Sequence, residues 1–245
     1  MTLVQLWNES NQLNKQEQLA SSWSGNRDYA IFYPRLVGHD FVELTSGGNS
    51  SSIAEARDLY PILDSHGALF VESSKFENPQ ELMKSPSAPL PPALRVNTNY
   101  LARYPISDES GKAISISPNE KRWVVAVPAQ YKPYASAIEK MTLASRNSNS
   151  ERQGSIQAES KIVGPTPIGY APQQARIIWT APGQQVYSFN QNVNPEAGNM
   201  ITDPVVEVIT PANSLTIDRF NSITGSIGTA LKVKVDGNPA LGRVS

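Results

Sequence analysis

The sequence predicts a mainly β protein with a few short helices: an α+β N-terminal part and a β-sandwich or barrel-like C-terminal part. Three observations carry this. Apolar runs are short and rich in Val, Ile and aromatic residues; turn signals of Gly, Pro and Asn separate them; and helical spacing shows in only a few windows. The 19 prolines agree, because proline lacks the N–H that a helix interior or a central strand requires.

Leu3, Leu6, Trp7 and Leu13 recur at helical spacing, with Leu19 further on, and predict an amphipathic N-terminal helix. Asp28–Tyr33 reads as an aromatic-rich strand stopped by Pro34, and Asp40–Leu44 as another. A helix is expected from Ile53 to about Tyr60, with Ser52 and Glu55 as a capping box and Pro61 at its exit. Ala68–Glu72 should be a strand, and Pro79–Met83 a single helical turn. The run Pro86–Pro92 favours an extended polyproline spacer. Ala113–Ser117 alternates cleanly, Trp123–Val127 is almost continuously apolar, and Pro118–Asn119 between them suggests a hairpin. Pro133 to about Ser145 reads as a helix with Tyr134, Ile138 and Met141 on one face.

Residues 146–160 are polar without periodicity and predict a linker or loop, dividing a domain over 1–145 from one over 161–245. The second part should hold strands at Ala175–Thr180, Gln185–Asn190, Val205–Thr210, Ser214–Phe220 and Thr229–Val235. Turns at Ala181–Gly183, Asn194–Gly198, Pro211–Asn213 and Asp236–Gly237 separate them. Leu231–Val235 alternates strictly, which predicts one buried face and one wet face that carries Lys232 and Lys234.

Composition narrows the function classes. Charged residues are 18%, below the roughly 25% of an average soluble protein, and 28 Ser and 18 Asn take up the shortfall. The net charge of −1 and the absence of a Lys/Arg cluster larger than Lys121–Arg122 argue against nucleic acid as the main partner. A charge this near zero favours self-association. The absence of cysteine excludes a disulfide scaffold, a thiol nucleophile and a thiolate metal site. Met1–Trp7 lacks the pattern of a secretory leader, and no window is apolar enough to span a membrane. The sequons at Asn8 and Asn49 are therefore expected to be coincidental.

No motif names a reaction. His39 and His66 each have an acid nearby, Asp40 and Asp64, but no Gly-x-Ser-x-Gly elbow or His-Glu-x-x-His accompanies them. Gly47–Ser51 before a helix has the general character of an anion site without the P-loop Lys, and a capped loop is the preferred reading. Paired carboxylates for glycoside hydrolysis need only two acids close in space; Asp28, Asp40 and Glu43 lie on or next to predicted strands, where such residues routinely face solvent. Trp179, Tyr187 and Phe189, with Trp123 and the polar run Asn190–Gln191–Asn192, could form a sugar-stacking platform, although aromatics on alternating strands are more often core.

The expectation is a non-enzymatic structural subunit of a large homo- or hetero-oligomeric assembly. A virion component (phage head, neck or tail) assembled in a host cytoplasm is the first case, with no cofactor and no metal. Its partners would be other copies of itself and neighbouring assembly proteins, met through Leu3, Leu6, Trp7, Pro89, Pro91 and Pro92. A carbohydrate-binding or adhesive β-module is the alternative, and an Asp/Glu acid–base enzyme of the cytoplasm is the second alternative.

Overall fold

The computed structural model describes residues 24–26, 28–31, 42, 43, 45, 46, 48, 50–78, 92–147, 150–164, 172–219, 223 and 228–235. Among them the organising element is a five-stranded mixed sheet. Its strands are β2 (Val71–Glu72), β3 (Ala93–Asn97), β4 (Trp123–Pro128), β5 (Ala175–Thr180) and β8 (Val205–Ile209), in the order β2–β3–β8–β4–β5. Two two-stranded ladders flank it. One pairs β1 (Tyr29–Ala30) with β9 (Val233–Lys234), and the other β6 (Gln185–Tyr187) with β7 (Met200–Thr202). This is an α+β fold on an open sheet. The expected sandwich or barrel over 161–245 does not form among the described residues, because β5 and β8 join strands that precede residue 146.

β4 is buried along its whole length, as its unbroken apolar run requires. It pairs parallel with β5, Trp123 opposite Ala175, and antiparallel with β8, Val125 opposite Glu207. Parallel neighbours need a crossover of a dozen or more residues, usually helical. Here it comprises a 3₁₀ turn at Ala129–Tyr134, then α4 (Ala135–Asn147) and α5 (Ser150–Val163). The polar segment expected as a linker is thus largely a helix inside this crossover. The hairpin expected at Pro118–Asn119 does not form. Ile114 and Ile116 are buried and Ser115 exposed, as their alternation implies, but Ala113 makes only an isolated bridge to Ser107.

Val42 and Glu43 are helical, where the strand Asp40–Leu44 was expected. α1 (Ser50–Asp58) starts before the expected capping box, and Glu43 supplies a carboxylate at its N-terminus. Pro61 does not end the helical region; it sits in the first turn of α2 (Tyr60–Ser65), where its missing N–H costs nothing. α3 (Thr98–Arg103) follows β3 directly, with Asn97 as N-cap accepting from the Tyr100 N–H at 3.0 Å. Thr216–Asp218, placed in an expected strand, is a 3₁₀ turn. Leu3, Leu6, Trp7, Pro89, Pro91, His39, Asp40, the turns at Pro79–Met83 and Asp236–Gly237, and most of Pro86–Pro92 lie outside the described residues. Pro92 is described and is half-buried, immediately before β3.

Alternation along the strands sorts the core into two layers. Leu94, Val96, Val124, Ala126, Val206 and Val208 face one side, covered by α3, the segment 104–116 and the β6–β7 ladder. Trp123, Val125, Val127, Val205 and Ile209 face the other, with Tyr60 and Ile138 from the helices. Ile138 is buried, but Tyr134 and Met141, expected on the same face, are 53% and 41% exposed. No helix among the described residues is long and apolar enough to cross a membrane.

Candidate functional site

The helical face of the sheet carries an unusual density of charge. Glu72, Arg95 and Glu207 stand opposite one another on β2, β3 and β8 and therefore share one face. Arg95 pairs with Glu72 at 3.3 Å and Glu207 at 3.1 Å. Burial opposes the Arg95 charge, but Glu207 and Glu72 outweigh it and hold its pKa above the ordinary value. The guanidinium carbon of Arg95 lies 5.5 Å from the centre of the Trp123 ring, and that of Arg146, from α4, lies 3.6 Å away.

Arg146 is fixed on every side. Asp218 accepts from its Nη1 at 2.7 Å and its Nη2 at 3.0 Å, a bidentate pair with both side chains about 5% exposed. Gln173 Oε1 accepts from its Nε at 2.7 Å. Gln173 in turn exchanges hydrogen bonds with Asn147 and donates to the Asn213 carbonyl at 2.7 Å. Asp218 also accepts from the Leu215 N–H at 2.8 Å, which shapes the 3₁₀ turn. Each acid here already holds its own cation or backbone donor. This makes the arrangement a clamp between α4 and the 213–218 loop, with no carboxylate poised for proton transfer.

Beside the clamp, α5 and the loop 211–219 enclose a cavity of about 210 Å³. Ile156, Val163, Pro211 and Leu215 form its apolar part; Glu159, Ser214, Thr216 and Arg219 form its polar part. Glu159 is buried and accepts from the Thr216 N–H at 2.9 Å. Arg219 lies over the Tyr60 ring, 4.6 Å from its centre, and donates to Ser214 Oγ at 3.3 Å. Its Nε is buried and meets no acceptor among the described residues.

The sites read from the sequence resolve differently. Glu43 accepts from the N–H groups of Ser50 at 2.7 Å and Ser51 at 2.9 Å. The helix start read as an anion site is therefore already occupied by an anion of the chain. Those bonds from Ser50 and Ser51 hold the Glu43 pKa down at about 2. Asp64 turns away from His66: it accepts from Asn97 Nδ2 at 2.7 Å, while His66 Nδ1 donates to the Ile62 carbonyl at 2.7 Å. Burial raises the Asp64 pKa.

Of the aromatics weighed for a sugar platform, Trp179 is partly buried on β5 and the others are core, the preferred reading. Trp123, Tyr187 and Phe189 are buried, Tyr187 and Phe189 stack with ring centres 4.6 Å apart, and Asn190 is buried and donates to Glu77 at 2.7 Å. The described residues contain no group of three or more His, Cys, Asp or Glu that could hold a metal ion. Clamp and cavity both escaped the sequence, because their members come from separate stretches: 146–147, 156–164, 173 and 211–219. One signal was available: Glu159 lies three residues from Ile156 and four from Val163, and so shares their helical face.

Protein-family models, curated proteins and solved structures were all compared with this chain, and none matches it.

Proposed function

We propose that the protein is a non-catalytic structural subunit of a large assembly, a virion component in the first instance, and that it joins a second copy by strand pairing at β5. The observation that carries this is the outer edge of the sheet. β5 pairs with β4 on one side only. Among the described residues its other edge is met at the C-terminal end alone, where Glu109 N–H donates to the Trp179 carbonyl at 2.9 Å and Asp108 bridges Thr180. Backbone groups two residues apart in a strand face the same edge. Ile177 and Ala175 therefore direct theirs outward, and no described strand pairs with them. Ile177, Ile178 and Trp179 are only partly buried. An apolar edge of this kind is a template for another strand, and natural edges are usually blunted by charge or proline.

Arg176 is the one charged residue of β5, and Glu120 accepts from it at 3.0 Å. A net charge of −1 adds little repulsion between copies. The segments carrying Leu3, Leu6, Trp7, Pro89, Pro91 and Pro92 remain the proposed arms of the same assembly. Light scattering and negative-stain microscopy test the reading. Multi-copy particles are expected of the native chain, and smaller species of Ala175→Pro, which removes an outward N–H without touching the β4–β5 bonds. A native chain that stays monomeric at every concentration would overturn it.

A further inference from the structure

We infer that the cavity between α5 and the 211–219 loop binds a small oxyanion, a carboxylate or phosphate, on the Arg219 guanidinium. The inference is independent of the β5 edge. It starts from a contrast among the arginines of one face. Arg95 has Glu72 and Glu207, and Arg146 has Asp218 in a bidentate pair. Arg219 makes no close ion pair with any described residue, the Asp64 carboxylate acting on it only from a distance, and its Nε, buried from solvent, has no acceptor among them. A buried donor without an acceptor is costly, and a charged one more so.

The surroundings give the vacant donor a ligand's geometry. The Tyr60 ring supports the guanidinium from one side and Ser214 Oγ accepts from Nη1 on another, which fixes the planar fork that oxyanions match. Arg219 also lines the cavity of about 210 Å³, which has room for a few heavy atoms and has the Thr216 hydroxyl on its wall, while the Ser214 hydroxyl is spent on the Thr210 carbonyl at 2.6 Å. Glu159 faces the same space. Its Oε1 accepts from the Thr216 N–H, and its charge favours a small, singly charged ligand over a larger polyanion. The apolar side chains of Ile156, Val163 and Leu215 lower the local polarity and strengthen the pairing.

The test is an NMR titration of the full chain with acetate and, separately, with inorganic phosphate at constant ionic strength, following the Ser214, Leu215 and Thr216 amides. Saturable shifts at these amides are expected with at least one of the two anions. Arg219→Met should weaken that binding about tenfold or more, as expected for losing a charge-assisted hydrogen bond. Arg219→Lys keeps the charge without the fork and should fall between the two, with an unchanged amide spectrum elsewhere to show that the fold persists. Absence of saturable binding of both anions to the native chain would overturn the inference. Equal binding by native and Arg219→Met proteins would overturn it too.

Discussion

The two faces of the central sheet bury cations in opposite ways. On the helical face, Arg95 and Arg146 lie over Trp123 and are matched by Glu72, Glu207 and Asp218. Toward the other layer, Lys232 is fully buried, with Nζ 5.8 Å from the centre of the Phe189 ring. It donates to the carbonyls of Ala230 at 2.6 Å and Val71 at 3.3 Å. Against burial, Glu207 and Glu72 hold the Arg95 pKa above its ordinary value, whereas desolvation lowers the Lys232 pKa to about 7. Matching by an opposite charge favours the charged form of a buried group, and desolvation favours the neutral one.

The comparison breaks most easily on the matched side. Asp218→Ala leaves Arg146 charged in a site about 5% exposed and should cost ~3–5 kcal/mol in urea unfolding. Replacing both partners, Arg146→Met with Asp218→Leu, should cost clearly less than the sum of the single losses. An additive double-mutant cycle would show that the pair is not coupled.

Lys232→Met should stabilise the fold by ~1–3 kcal/mol near neutral pH, since no burial of charge is then required. The sign of its pH dependence follows from linkage. Between about 7 and the ordinary lysine value of 10.5 the unfolded chain holds a proton that the folded chain has released, so native stability rises with pH across that window. Above about pH 10 the trend reverses, because burial holds the Tyr60, Tyr100 and Tyr104 hydroxyls protonated in the fold, Tyr104 up to about 12. Urea midpoints measured from pH 6 to 11 should therefore show an alkaline maximum in the native protein and lose the rise in Lys232→Met. A native profile flat from neutral pH to about pH 10 would contradict the assignment.

Glu43→Gln should have the smallest effect. The side chain is at the surface, and its bonds to the Ser50 and Ser51 amides persist in weaker form. Its depressed pKa contributes stability that is present above the ordinary glutamate value of 4.5 and lost as pH falls toward about 2. Glu120, held at about 2 chiefly by Arg122, acts in the same window. Acid unfolding followed by circular dichroism should be shallower in Glu43→Gln, and an unchanged acid limb would remove the cap from the account.

What the sequence disclosed follows the same division. Strands whose apolar pattern is set by burial were legible: Trp123–Pro128, Ala175–Thr180 and Val205–Ile209 appear within a residue of their expected bounds. Elements held by polar matching were not. α5 looked like a linker because its buried members include Glu159, which bonds to a loop 57 residues away. Lys232 looked like the wet half of an alternating strand, but its neighbour Leu69 bridges it and its Nζ ends among carbonyls. β3 and α3 were missed altogether, since Asn97, a poor strand residue, closes one and caps the other. Local pattern carries no record of a partner supplied by tertiary structure.

The proposed role rests on the outward amides of β5, and amide hydrogen exchange of Ile177 measures them directly. Exchange should slow as protein concentration rises and stay fast at all concentrations in Ala175→Pro. Exchange at Ile177 that is independent of concentration would show that no second copy pairs with this edge, and would contradict the account.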